Sequence, residues 1–423
     1  MIADPPRMRP RAEPMPEPLP RSLDPLPDES LTGFMLRLAH RLNISPGYLA
    51  FLTGLVDASH RRPPRVLSTQ LVIDLKDHLQ PFATATRLTP QEAANLCVGQ
   101  LGIFNTLQHG PPEIRPEPTP LAQLSFHHRW LFHSEPRYCP QCLAGDGSPL
   151  QNEHGGPWRR HWYLPMVFAC PIHQRLLRHA CPAGSNHEIH AAPMDRSAVG
   201  SLSDPRPHPT QCRHLTGQKP SGGRRAFCGV QLADPSPDHQ PADEVPELLR
   251  LQNSLITNMN RPPGDPLRVA GTPIMNHQYF TDLGIIAALV LLSWPASEGL
   301  CASPTLAAAI DEEARLRLHM SRTRQTHHHQ NQFRVSQPWA AAPADARTCA
   351  AILSIAWKVL KKPTSGGLQR ALAPLLIQAD RTNGRATNAI RSNPRRSRAL
   401  AVAMRKPWSG LRHGPRLNSA PGW

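Results

Sequence analysis

The chain has 423 residues, with 49 Pro, 5% aromatic residues and a formal charge of +16. That length suits two or three domains with buried cores, but so much Pro beside so few aromatics excludes one uniform globule and predicts ordered units strung on Pro-rich connectors. The charge favours nucleic acid or an acidic surface as partner, although 41 of the 47 basic residues are Arg amid abundant Ala and Pro, a bias that a GC-rich genome also produces.

Met1 to Pro27 shows no basic start, apolar run and small-residue cleavage site in succession, which argues against secretion. Residues 1–22 read instead as a disordered Pro-rich tail. After Glu29 the apolar positions Leu31, Phe34, Met35, Leu38 and Leu42 fall on one stripe of an amphipathic helix. A second helix follows at once, with Ser45 as N-cap, Pro46 at its first position and Gly54 at its end. The spacing is compatible with a helix-turn-helix, and equally with a plain packing hairpin. Thr89-Pro90-Gln91-Glu92 is a capping box for a further helix, whose apolar face includes Cys97 as a core residue.

Pro and charge dominate residues 111–125, a linker that closes an N-terminal helical domain at 23–110. A Cys/His-rich region covers 126–234, and another Pro-rich connector precedes a helical domain at 247–380. There Thr281 caps an apolar helix reaching Trp294, Ser303-Pro304 opens a long helix to about Arg322, and Ala346 to Lys361 shows helical spacing. The apolar run Leu283 to Trp294 is well short of the ~20 residues that a membrane span needs. His327 to His329 lie in a polar stretch and read as a solvated loop. Residues 381–423 hold ten Arg or Lys and no acid, which predicts a disordered basic tail with Arg391, Arg395, Arg396, Arg398, Arg405 and Lys406 as phosphate contacts. Should the tail not serve, Arg37, Arg41, Arg61 and Arg62 are the next cations to consider. The fold class expected is mainly α and multidomain, with helix-turn-helix-like elements flanking small zinc-stapled β-hairpin units.

The chemistry is concentrated in CPQCL at Cys139 to Leu143, WRRHW at Trp158 to Trp162, VFACPIHQRLL at Val167 to Leu177, and Cys181. Nine Cys is an odd number, and their clustering reads as metal ligation more readily than as disulfides. A CxxC pair curls two thiolates around one point and CxxH supplies the complementary pair, so Cys139, Cys142, Cys170 and His173 make a tetrahedral zinc site. Residues Trp162 to Val167 suggest a strand leading into the second pair, and Ile172 to His179 a helix after it, as in a treble-clef or zinc-ribbon unit. Trp158 and Trp162 then pack a core too small to hold itself together. Cys181, Cys212 and Cys228 remain for a second zinc, with His187, His214 or water as fourth ligand; His187 is preferred because it follows Cys181 by six residues. Three thiolates and an imidazole leave no open position for catalysis, and no HExxH, Walker motif or GxSxG is present; scattered acids such as Asp146 or Asp282 have no spacing of a paired-carboxylate nuclease. The expectation is a protein without enzymatic activity or small-molecule substrate.

These motifs, together with PLPDESLTGFMLRLA near the start and RYCPQCLAGD, resemble the TniQ family of transposition proteins over roughly residues 24 to 234. The resemblance implies a DNA-transposition adaptor that binds DNA, an AAA+ transposition ATPase and a DDE transposase complex for target selection, as a cytoplasmic, nucleoid-associated protein able to homo-oligomerise. It assigns Cys139, Cys142, Cys170 and His173 to the first zinc, and leaves Cys181, Cys212 and Cys228 as remnants of a second set, because the usual second Cys after Cys181 is missing. A zinc-ribbon and helix-turn-helix transcription regulator would share the same charge, helices and metal.

Overall fold

The computed structural model describes residues 16–56, 63–104, 130–133, 136–183, 199–216, 226–234, 245–262, 265–326, 339 and 341–405. Helices dominate them, with two short antiparallel hairpins. No helix among them is long and apolar enough to cross a membrane.

The first unit grows from α1 (Leu31–Leu42) and α2 (Pro46–Leu52). Ser30 caps α1 by accepting from Gly33 N, and Asn43 ends it in the left-handed region at φ 52°. The predicted stripe is the buried one: Leu31, Phe34, Met35 and Leu38 are all 0% exposed. α3 (Thr69–Ile73), α4 (Leu79–Thr86) and α5 (Pro90–Asn95) follow, and α5 opens with the predicted capping box, the Thr89 amide donating to Glu92 at 2.8 Å. Cys97 is buried in this core and donates to Leu71 O, as a core thiol does. Of the disordered tail expected over residues 1–22, residues 1–15 lie outside the described residues and residues 16–22 are folded. Leu19 and Leu23 are buried in the same cluster, and Leu19 N donates to Ala85 O, so burial of two leucines ties this short segment to α4.

The α1–α2 hairpin forms as expected, but the first turn of α2 is covered by other chain. Gly47 N donates to Leu202 O at 2.9 Å, and a Cβ at Gly47 would lie 2.4 Å from Pro64 O. The first turn of α2 is thus packed against neighbouring backbone of the same chain.

The metal-ligand region holds α6 (Pro140–Ala144), α7 (Pro149–His154), a 3-10 turn at Arg160–Tyr163, and the hairpin of β1 (Ala169–Cys170) and β2 (Arg175–Leu176). β1 and β2 pair antiparallel with Cys170 opposite Arg175. Two local expectations are corrected. Residues 162–167 are not a strand, since Trp162 and Tyr163 sit in the 3-10 turn, where both rings face inward. Residues 172–179 are not a helix either: Gln174, at φ 47°, turns the chain back on itself, and Leu177 N donates to Phe168 O.

The last region comprises α8 (Val245–Met259), a hairpin of β3 (Leu267–Val269) and β4 (Thr272–Ile274), α9 (Asn276–Ser293), α10 (Pro304–Thr326), α11 (Ala346–Leu360), α12 (Ser365–Arg391) and α13 (Arg398–Ala403). α8 begins at Val245, ahead of the expected 247, with Pro246 next to its start. α9 starts before Thr281, which is buried inside it, and Tyr279 to Ser293 is buried continuously. The most apolar run in the chain is therefore a central rod sheathed by α11 and α12.

Two expectations about organisation give way. One buried cluster extends from Leu36 through the metal-ligand region to Met404, so the C-terminal helices are not a separate bead. Arg137 is 2% exposed and shows why: Nη1 donates to Pro165 O and Val167 O, while Nη2 and Nε donate to Pro343 O and Ala344 O. Gln252 of α8 accepts from Phe168 N and Ala169 N and donates to Met166 O, and Gly284 of α9 packs on Trp130. Nor do residues 381–405 form a disordered tail. They complete α12 and form α13, whose Ala399, Leu400 and Ala403 are buried, because alanine and leucine at helical spacing outweigh the arginines between them.

Candidate metal centres

The first centre is assembled by a helix start and a hairpin tip. Cys139 precedes α6, Pro140 sets the first helical position, and Gly145 at φ 91° ends the helix after a single turn. Cys142 thereby faces back toward Cys139. Close approach is enforced at Gly156, where a Cβ would stand 2.0 Å from Cys142 O. Across the site, Tyr138 and Arg178 exchange backbone hydrogen bonds at 2.7 and 2.8 Å, which locks the first pair beside the β1–β2 hairpin that carries Cys170 and His173.

Four donor atoms converge. Cys142 Sγ lies 3.7 Å from Cys170 Sγ, and His173 Nδ1 lies 3.5, 3.3 and 3.5 Å from the sulfurs of Cys139, Cys142 and Cys170. Tetrahedral bonds of about 2.3 Å to sulfur and about 2.0 Å to nitrogen set S···S edges of about 3.8 Å and S···N edges of about 3.5 Å. The cage therefore fits one divalent metal. Crowding of the thiols has electrostatic consequences: hydrogen bonds from Cys139 and Cys142 hold Cys170 far below the usual thiol range, while those same contacts and burial push Cys139 up.

The second centre brings together Cys181, Cys212 and Cys228, with Cys181 Sγ 3.7 Å from Cys228 Sγ and all three sulfurs within 4.8 Å of one another. Backbone bonds between Cys212 N and Val230 O, and between Cys228 N and His214 O, clip the two later cysteines together. The Cys181 thiol raises Cys212, followed by burial, and burial raises Cys228. His214 lies next to this group but its ring is not among the converging donors. His187, the preferred fourth ligand, lies outside the described residues, as do His327 to His329, Arg61, Arg62 and Lys406.

Trp158 joins the centres to the first helical unit. It is 1% exposed, its Nε1 donates to Pro209 O on the way to Cys212, and its carbonyl accepts from Ser30 N at the start of α1. Trp162 packs edge-on against it, so both tryptophans perform the core role expected of them. A family model described as TniQ matches residues 20–177. Residues 20–177 belong to the TniQ family. That stretch contains α1 to α7, both tryptophans and the entire first centre. No curated protein and no solved structure is similar enough to count as a match.

The cations singled out in the sequence are not brought to one place. Arg37 is buried in an ion pair with Glu29 at 2.6 Å and cannot reach a phosphate. Arg391 pairs with Asp380, and Arg395 and Arg396 are half-buried. Arg398 and Arg405 are exposed, as are Arg381 and Arg385 on α12. Sequence reasoning missed a histidine cluster where α1, α7 and the segment around residue 208 meet. His40 Nδ1 is 3.0 Å from His154 Nδ1, and the His208 ring lies edge-on to His40 at 4.9 Å. Residues 40, 154 and 208 share no local spacing that would have revealed it.

Proposed function

We propose that this chain is a non-catalytic, zinc-stapled adaptor of DNA transposition, which binds DNA and docks an AAA+ ATPase and a DDE transposase at the target. The observation that carries the reading is the TniQ match enclosing a cage closed by four protein donors. Thiolate-rich tetrahedral sites favour zinc, and a site filled by protein ligands staples structure instead of activating water. Cys139, Cys142, Cys170 and His173 would hold the first ion, and Cys181, Cys212 and Cys228 three positions of a second. The zinc would supply folding energy here, while the chain's surfaces do the docking. Arg381, Arg385, Arg398 and Arg405 support phosphate contact, since all are exposed on folded helices or at their ends.

Reconstitution tests the reading. Zinc-loaded chain, an AAA+ transposition ATPase and duplex DNA are expected to form a ternary assembly that Cys142→Ser abolishes. An ATPase–DNA assembly that forms identically with and without the chain would overturn it.

A further inference from the structure

Among the described residues, Asp282 is a fully buried acid that neither metal centre uses. It sits on α9, 0% exposed, and its Oδ1 accepts from Ser397 N at 2.8 Å across 115 residues of sequence, while Oδ2 has no hydrogen-bond partner. Ser397, also 0% exposed, is the N-cap of α13 and accepts from Leu400 N through its hydroxyl. In a capping box the third helical residue is Glu or Gln and returns a bond to the N-cap amide, as Glu92 does for Thr89. At that position α13 has Leu400, which has no acceptor to offer. A carboxylate from another helix supplies the missing half.

Around this bond the chain is cationic. Arg396 faces Asp282, Arg395 lies near His277 in the first turn of α9, and exposed Arg398 and Arg405 bracket α13. Burying a carboxylate is expensive, and a well-packed apolar side chain in its place is often neutral or stabilising. Stability alone therefore does not call for an acid here, whereas fixing one backbone N–H does. We infer that Asp282 is a positioning residue, the remote half of a capping box that holds α13 and its preceding turn against α9 so that Arg398 and Arg405 meet nucleic-acid phosphates as a built surface instead of a loose tail. The phosphate contact rests on the adaptor reading above, while the anchor itself does not.

The experiment compares full-length Asp282→Asn, which keeps an acceptor oxygen, with Asp282→Leu, which keeps volume alone. Hydrogen exchange of the 397–405 backbone is expected to speed up about tenfold in Asp282→Leu and to stay near wild type in Asp282→Asn, as befits loss of one hydrogen bond to a charged group. The slope of log affinity for duplex DNA against log salt should shrink by about two phosphate contacts in Asp282→Leu only. Exchange no faster in Asp282→Leu than in wild type overturns the anchor. Faster exchange with an unchanged slope overturns its role in presentation, provided that Arg398→Ala and Arg405→Ala do lower the slope. If those two variants leave it unchanged, the phosphate-contact reading fails by itself. Asp282→Ala, which removes the acceptor without adding apolar bulk, covers the case in which Asp282→Leu does not fold: exchange at 397–405 is expected to rise as in Asp282→Leu, and exchange at the wild-type rate overturns the anchor.

Discussion

Single side chains set the two kinds of site in opposite ways. A cysteine in the first cage is costly to bury alone and stabilising once a cation joins it, so the ligands act as a unit. Cys139→Ser is expected to reduce bound zinc by one equivalent per chain, read by elemental analysis of folded, desalted protein; unchanged stoichiometry would remove Cys139 from the ligand set. The histidine cluster works through neutrality. Burial first, then the neighbouring charge of His208 and His154, hold His40 down at about 4, and burial lowers His154 and His208 as well. Arg37, Arg41 and Arg213 face the cluster, against the single carboxylate of Glu153. A histidine whose folded value lies below its unfolded value of about 6.5 stabilises while neutral; its contribution is whole above that pH and is lost as pH falls through the folded value. The melting temperature of wild type should therefore fall more steeply between pH 6.5 and 4 than that of His40→Gln, by about 2–4 °C. Parallel curves for the two proteins would show that the cluster does not titrate against stability.

Elements are joined by close backbone approaches as much as by apolar faces. Gly33 lies within α1, where Ala is ordinarily better by about 1 kcal/mol. A Cβ there would stand 2.8 Å from Trp158 Cβ and 3.0 Å from Trp158 O, and a backbone carbonyl cannot swing aside as a side chain can. Overpacking of this kind costs about 1–3 kcal/mol, so the steric term wins and Gly33→Ala is expected to destabilise despite its better propensity. Denaturant titration decides it, and a stabilised Gly33→Ala would mean that α1 and the Trp158 segment shift apart freely. The same logic applies at Gly47, where neighbouring backbone closes on the first turn of α2.

The whole molecule couples its metal centres to its C-terminal helices. Gln252 satisfies two amides and one carbonyl of the segment entering β1, all inside the core. Gln252→Leu leaves those groups unpaired at about 1–3 kcal/mol each, and so costs several kcal/mol although it makes the core more apolar. Chelation of the metals is expected to raise hydrogen exchange in α8, α9 and α11 together with the β1–β2 hairpin, since one core serves both. Unaltered protection of α9 and α11 after chelation would restore the picture of independent beads.

Local signals survived intact wherever one short segment carries all the physics. The apolar stripe of α1, the Ser45-Pro46 start of α2, the Thr89–Glu92 box and the CxxC and CxxH pairs are written within a turn or two, and the first metal centre could be named ligand by ligand from spacing alone. The TniQ resemblance rested on those same short motifs. Tertiary packing decided the remainder. Residues 162–179 became a 3-10 turn and a tight hairpin because inward-facing rings and the ligand geometry outweigh propensity. The basic stretch after residue 381 folded because Ala386, Ala399, Leu400 and Ala403 find a place on α9 and α12, which composition cannot reveal. Arg137, Gln252, Asp282 and the three histidines each act on groups far away in sequence. No window of sequence contains both partners of such a contact, so their roles exist only once the chain has closed on itself.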